Sequence, residues 1–174
     1  MSVAVGDKGR TVLCALDIAP PDARRPDAVS SELFLGDVAE AALRAADDEA
    51  RRSGAELALF HALPLDAGAP MSPAAVEQAM VNREELARTV IDGLSRTGAR
   101  VTGRPADELT VLVEDGAPDE AIVRAAERLS ADLLVLGDRG AQARRRPFWR
   151  ALGSVAGSVV QRAPCSVLVV RRKG

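Results

Sequence analysis

Apolar residues along this chain fall into two alternating patterns. Short, nearly unbroken apolar runs occupy 11–16, 56–61, 109–113, 132–136 and 166–170. A run without polar alternation is what a strand buried on both faces shows, as in a parallel sheet. Between these runs the apolar residues recur at helical spacing.

The first helical stretch opens at Asp37, with Glu40 three residues later in the manner of a capping box. Val38, Ala42, Ala45 and Ala46 supply its buried face, and Gly54 supplies a left-handed stop. Ser72 and Pro73 open the second, with a face of Val76, Met80, Ala87, Val90, Ile91 and Leu94 and a stop at Gly98. Pro118 opens the third, facing inward with Ile122, Ala125, Ala126 and Leu129, and a fourth starts near Gly153. The order is βαβαβαβαβ. It predicts an α/β domain: an open five-stranded parallel sheet with helices on both faces, Rossmann-like in layout.

Residues 1–10 read as a tail, 18–36 as a long β–α connection and 64–70 as a loop; with no internal repeat visible, residues 1–174 read as a single domain. In sheets of this kind ligands lie outside the carboxyl ends of the strands, where strand order reverses. Those ends are Asp17, His61 and Ala62, Val113 and Glu114, and Gly137.

Composition narrows the function. With 47% hydrophobic and 28% charged residues, the 174-residue chain can bury a real core. A net charge of −2 gives no overall pull toward nucleic acid or an anionic membrane. Phe34, Phe60, Phe148 and Trp149 are all the aromatics, too few for a base-stacking platform. No stretch has the length of a signal peptide or a membrane span, so the expected compartment is the cytoplasm. Cys14 and Cys165 sit beside apolar runs and read as buried reduced thiols.

The chemistry concentrates in the last third. The apolar run ending at Leu136 passes into Gly137-Asp138-Arg139-Gly140, and Gly153-Ser154-Val155 opens the last helix. A glycine turn at a strand's carboxyl end lets backbone N–H groups approach a phosphate. A helix start adds unpaired donors and the positive end of the helix dipole.

Four pieces together resemble the universal stress protein family. They are Val12-Leu13-Cys14-Ala15-Leu16-Asp17; Ala55-Glu56-Leu57-Ala58-Leu59-Phe60-His61; the stretch 127–140 around Ala131-Asp132-Leu133-Leu134-Val135-Leu136-Gly137; and Gly153-Ser154-Val155 through Ala163-Pro164-Cys165-Ser166-Val167-Leu168-Val169-Val170-Arg171. The resemblance implies a fold like that of the adenine nucleotide α-hydrolases and splits two ways in function. Members that bind ATP, with or without magnesium, carry two glycines two residues apart, then nine residues, then Gly-Ser or Gly-Thr. Here Gly137, Gly140, Gly153 and Ser154 match, but twelve residues, 141–152, separate Gly140 from Gly153. The alternative is a member that binds no nucleotide and acts through protein contacts.

Carried onto this chain, the resemblance implies an adenine-nucleotide site of Asp17, Ala62, Gly137, Arg139, Gly140, Gly153, Ser154 and Val155. Asp17 would hydrogen-bond the nucleotide or help place a metal, or else cap a turn. Ala62 would flank the adenine with its backbone. The resemblance further implies a homodimer in which Val167, Leu168, Val169 and Val170 pair with a second copy, covering an edge strand otherwise left open.

Arg144, Arg145 and Arg146, followed by Phe148 and Trp149, could reach phosphates, form a lid, dock another chain, or stand as a solvated loop. His61, the single histidine, reads as structural, and no metal-ligand spacing occurs. No catalytic residue is identified: Gly-x-Ser-x-Gly is absent, and the stretch after strand 1 has no glycine loop of the adenylating-enzyme kind. A phosphoacceptor receiver would want acids clustered near strand 1 and a lysine ending strand 5, and neither occurs. The reading is a nucleotide-binding stress-response sensor without dedicated catalysis.

Overall fold

The computed structural model describes residues 9–18, 33, 35–63, 73–138 and 153–171. Its strands are β1 (Thr11–Ala15), β2 (Glu56–Leu63), β3 (Thr110–Asp115), β4 (Leu133–Gly137) and β5 (Ser166–Val170). The helices are α1 (Asp37–Ser53), α2 (Pro73–Thr102), α3 (Pro118–Arg128) and α4 (Ser154–Arg162), with one 3-10 turn at Ala106–Glu108. All strand pairs are parallel, in the order β3-β2-β1-β4-β5. The expected fold class is the observed one.

The order has a consequence. From β1 the chain moves outward through β2 to β3, then crosses back to β4 and moves outward to β5. Reversing direction while keeping one crossover hand puts successive helix pairs on opposite faces. The core divides accordingly. Leu43, Ala46, Leu57, Leu59, Leu94 and Val135 pack on the α1/α2 side. Leu13, Phe60, Ala121, Ala125, Leu134 and Val159 pack on the α3/α4 side. Strand β1 lies between both layers, and Leu13 and Cys14 have no exposed surface.

Several boundaries differ from expectation for identifiable reasons. Gly36, not Asp37, is the N-cap of α1, and no side chain caps it. The Glu40 N–H donates to the Gly36 carbonyl at 3.0 Å. Asp37 and Glu40 lie in the first turn, where their charge favours the helix dipole. Gly54 does close α1, at φ +66. Strand β1 ends at Ala15, one residue short of expectation, whereas β2 runs on to Leu63 because Ala62 and Leu63 pair with Glu114 and Asp115. The other two shifts are one or two residues: β3 covers Thr110–Asp115 and β4 covers Leu133–Gly137.

Helix α2 departs most. It passes through Gly98 and ends at Thr102, where Gly103 takes φ +71 and its N–H donates to the Ala99 carbonyl at 2.8 Å. Gly98 is a close-packing position: a Cβ there would lie 2.7 Å from Leu59 Cδ1 and 2.9 Å from Leu109 Cδ1. Its 30 residues span about 45 Å at 1.5 Å each, far more than an eight-residue strand covers. The amino-terminal half therefore overhangs the carboxyl ends of β2 and β3. Met80, expected in the buried face, is 66% exposed. Arg83 fastens the overhang, donating to the Leu63 carbonyl at 3.1 Å and pairing with Asp115 at 2.5 Å.

The other end of α2 is held by charge. Asp47 of α1, 6% exposed, accepts from Arg51 at 2.9 Å and from Arg104 at 2.5 Å. Arg51 also donates to the Thr102 carbonyl at 3.0 Å, tying α1 to the last turn of α2. Burial alone would raise the Asp47 pKa; the hydrogen bonds and charges of the two arginines outweigh it and hold the carboxyl below its ordinary range.

Asp47→Asn should lower stability by about 2 kcal/mol at pH 7, because it takes the carboxylate from the largely buried guanidinium of Arg104 and from the half-exposed one of Arg51. The folded-state pKa is the lower one, so the stabilisation is complete above the unfolded value of about 4 and fades as pH falls through the folded value. Urea titrations of both proteins at pH 7 and pH 3 check this: the gap should narrow in acid.

Candidate functional site

Strand order reverses between β1 and β4, so their carboxyl ends open the crevice in which a sheet of this type holds ligands. Past β1 the chain continues through Leu16, whose N–H donates to the Phe60 carbonyl at 2.8 Å, to Asp17, which is exposed. His61 Nδ1 lies 2.9 Å from the Leu16 carbonyl, so the ring carries its proton on Nδ1 and donates. The histidine thus pins the end of β1 to β2, the structural part expected of it. Just beyond, Ile18 and Leu35 form an antiparallel bridge that closes the base of the long connection.

Across the crevice, Gly137 is the last residue of β4 and pairs with Val170. Asp138 follows, 5% exposed, and organises the corner. Its N–H donates to the Val170 carbonyl at 2.9 Å, and its own carbonyl accepts from the Gly153 N–H at 2.8 Å. Arg171 Nε lies 3.5 Å from its Oδ2. One residue therefore joins the end of β4, the end of β5 and the start of α4.

Gly153 is the N-cap of α4, and no side chain caps this helix. Ser154 is exposed in the first turn, and Val155 is half-buried against the α3/α4-side core. The Gly153 N–H is occupied by Asp138, so the donors that α4 can offer to an anion are those of Ser154, Val155 and Ala156. Helix α4 is anchored to α3 through Asp119, which accepts from Ser158 Oγ at 2.7 Å and from Arg162 at 2.6 Å. The Ser158 hydrogen bond outweighs partial burial and, with Arg162, keeps the Asp119 carboxyl low.

Of the residues expected at the site, Asp17, Gly137, Gly153, Ser154 and Val155 stand at the carboxyl ends of β1 and β4 or at the start of α4. Ala62 is buried, its side chain in the α3/α4-side core near the carboxyl end of β2. Arg139 and Gly140 lie outside the described residues, as do Arg144, Arg145, Arg146, Phe148 and Trp149. Asp138 reads in the sequence as a negative charge inside the glycine turn, unfavourable to a triphosphate and offset by Arg139; its burial and its bonds to β5 and α4 are what reading the sequence missed.

The rest of the described surface offers little competing chemistry. A hollow of about 300 Å³ lined by Arg10, Glu49, Ser53, Asp132 and Ser166 lies at the amino ends of the strands, opposite the crevice. Another of about 210 Å³, lined by Leu63, Met80, Arg83 and Val113, lies under the α2 overhang. Among the described residues no group of three or more His, Cys, Asp or Glu side chains could hold a metal, and no helix is long and apolar enough to cross a membrane.

With that geometry in place, comparison with known proteins decides the family. The family model described as the universal stress protein family matches residues 35–171, most of the chain. The chain belongs to the universal stress protein family. A universal stress protein of Thermus aquaticus is 38% identical over 138 residues, covering 78% of this chain and 91% of the relative. The solved UspA of Lactobacillus plantarum is 25% identical with a TM-score of 0.65, covering 95% of this chain and all of that one. A universal stress protein of Archaeoglobus fulgidus, solved in complex with dAMP, shares the fold at a TM-score of 0.54 and 20% identity, covering 95% of this chain and all of that one.

The two thiols of this family member lie apart, in opposite layers of the core. Cys14 is fully buried, and burial pushes its thiol far above the ordinary range. Cys165 is half-buried rather than buried, and desolvation followed by the Asp132 charge raises it less. In the native protein at pH 8, an aromatic disulfide reagent should modify Cys165 slowly and Cys14 only on unfolding. Two equally fast thiols would contradict the assignment.

Proposed function

We propose that this universal stress protein binds an adenine nucleotide across the carboxyl ends of β1 and β4 and acts as a stress-response sensor without dedicated catalysis. The observation that carries the reading is the corner at Asp138. It ties the end of β4 to the start of α4, and that junction beside the reversal of strand order supports an anion site on the first-turn N–H groups. Complex formation with dAMP by the Archaeoglobus fulgidus relative supports the same ligand class. In this reading Ser154 and Val155 hold phosphate through backbone N–H groups and the Ser154 hydroxyl. Gly137, Arg139, Gly140 and Gly153 shape the phosphate turn, while Asp17 and Ala62 line the nucleoside end. Magnesium enters with ATP rather than as a resident ion.

Calorimetric titration with AMP and with ATP and magnesium, following Trp149 emission in parallel, tests the proposal. Saturable binding that is lost in Gly140→Asp is the expected result. No heat and no emission change at millimolar nucleotide would move the function to protein contacts, with the twelve-residue spacing as its cause.

We further propose that two copies pair through β5. The strand forms one edge of the sheet, and Leu168 on it is 40% exposed. An open apolar edge is a template for a second strand. Sedimentation at micromolar concentration should give a dimer, and Leu168→Asp should give a folded monomer. A monomeric parent protein would overturn this part alone.

A further inference from the structure

We propose that the notch at Gly93 and Thr97 of α2 is a releasable latch, and that seating Leu33 in it positions Asp17 for the nucleotide. This rests on the nucleotide-binding reading above and adds the residues that position its nucleoside end. The two notch residues lie four apart on α2, so they share one face of the helix. A Cβ at Gly93 would lie 2.6 Å from Leu33 Cγ and 2.9 Å from Leu33 Cδ1, so only glycine leaves room for that side chain. One turn on, Thr97 has no exposed surface and commits its hydroxyl to Leu33 in both directions. Its Oγ1 accepts from the Leu33 N–H at 3.2 Å and donates to the Leu33 carbonyl at 3.3 Å.

The other threonines of the helix show what Thr97 forgoes. Thr89 and Thr102 fold back and donate to the carbonyl four residues earlier, that of Glu85 and of Gly98, each at 2.8 Å. A helical threonine can make this bond without any outside partner. For Thr97 the carbonyl in question belongs to Gly93, the other half of the notch. The hydroxyl thus has a partner in either state: the Leu33 backbone when the notch is filled, the Gly93 carbonyl when it is empty. Release therefore strands no polar side chain on α2. It also gives up two hydrogen bonds that are longer than the two back-bonds beside them.

A short path links the notch to the crevice. Leu33 is half-buried against the α1/α2-side core, and two residues later Leu35 forms the antiparallel bridge to Ile18. Asp17 is the neighbour of Ile18, just past the end of β1. With Leu33 seated, the bridge is tied to α2 and Asp17 is held in a fixed relation to Ala62 on β2. With the notch empty, that tie is gone. A nucleotide that engages Asp17 binds the seated state better and, by reciprocity, keeps Leu33 in its notch.

The test combines calorimetric titration of the full chain with AMP and amide hydrogen exchange at Leu33 with and without AMP. The proteins are the parent, Gly93→Ala, Leu33→Ala, Gly93→Ala with Leu33→Ala, Thr97→Val and Thr97→Ser. Gly93→Ala evicts Leu33 and should weaken AMP at least about fivefold, although alanine is the better helix former. Leu33→Ala empties the notch without altering α2 and should weaken AMP as much, which keeps the test open should Gly93→Ala fail to fold. The double variant should be no weaker than either single one, because both remove the same contact. Thr97→Val should weaken AMP, and Thr97→Ser, which keeps the hydroxyl, should not. In the parent, AMP should slow exchange at Leu33. AMP affinity unchanged in Gly93→Ala and Leu33→Ala, or Leu33 exchange indifferent to AMP, would reduce the contact to packing and overturn the inference while the nucleotide site stands. Failure of the parent to bind AMP or ATP overturns both readings together, a pattern distinct from parent and variants binding alike.

Discussion

Strand β1 is hydrogen-bonded on both edges, to β2 and to β4, and covered on both faces. Every backbone group in a strand so enclosed must find its partner in the sheet, because water cannot reach it. That requirement fixes the register of its two neighbours. Since β2 and β4 leave β1 in opposite directions, it also fixes where their carboxyl ends diverge. The crevice is thus a by-product of satisfying one buried strand. His61 and Asp138 stand on either side of it: His61 donates from β2 to the Leu16 carbonyl past β1, and Asp138 at the end of β4 donates to the Val170 carbonyl of β5.

Electrostatically, the two sides of the molecule use the same device differently. Asp47 joins two helices far from the crevice, and its arginines meet it at short range. Asp138 joins two strands and a helix at the carboxyl ends of the sheet, where Arg171 approaches its carboxylate. In both settings a buried carboxylate ties separate elements of the fold together.

The five-stranded parallel sheet with helices on both faces was legible because parallel strands buried on both faces leave continuous apolar runs, and five of them stand out in this sequence. Helix ends were less legible because glycine has two uses. Gly54 and Gly103 take positive φ and end helices, whereas Gly98 sits mid-helix because Leu59 and Leu109 leave no room for a side chain. Nothing local separates these cases; the packing partners are dozens of residues away. The exposure of Met80 escaped for a similar reason, since periodicity marks a face but not how far the sheet beneath it extends. The places of Gly137 at the end of β4 and of Gly153 and Ser154 at the start of α4 were readable from the turn and helix-start pattern. The burial of Asp138 was not, because it arises only when β5 and α4 close on the end of β4.

The Leu33 anchorage carries a different consequence. The Leu33 side chain occupies the notch at Gly93, its backbone exchanges hydrogen bonds with Thr97, and the Ile18–Leu35 bridge closes two residues later. The chain between Ile18 and Leu33 therefore departs and returns through fixed points. Closure entropy grows only slowly with the number of residues between such points. Length in this segment is then nearly free to vary over evolutionary time, and the same two anchors mark it as a place where a reporter sequence can be spliced in without disturbing the sheet.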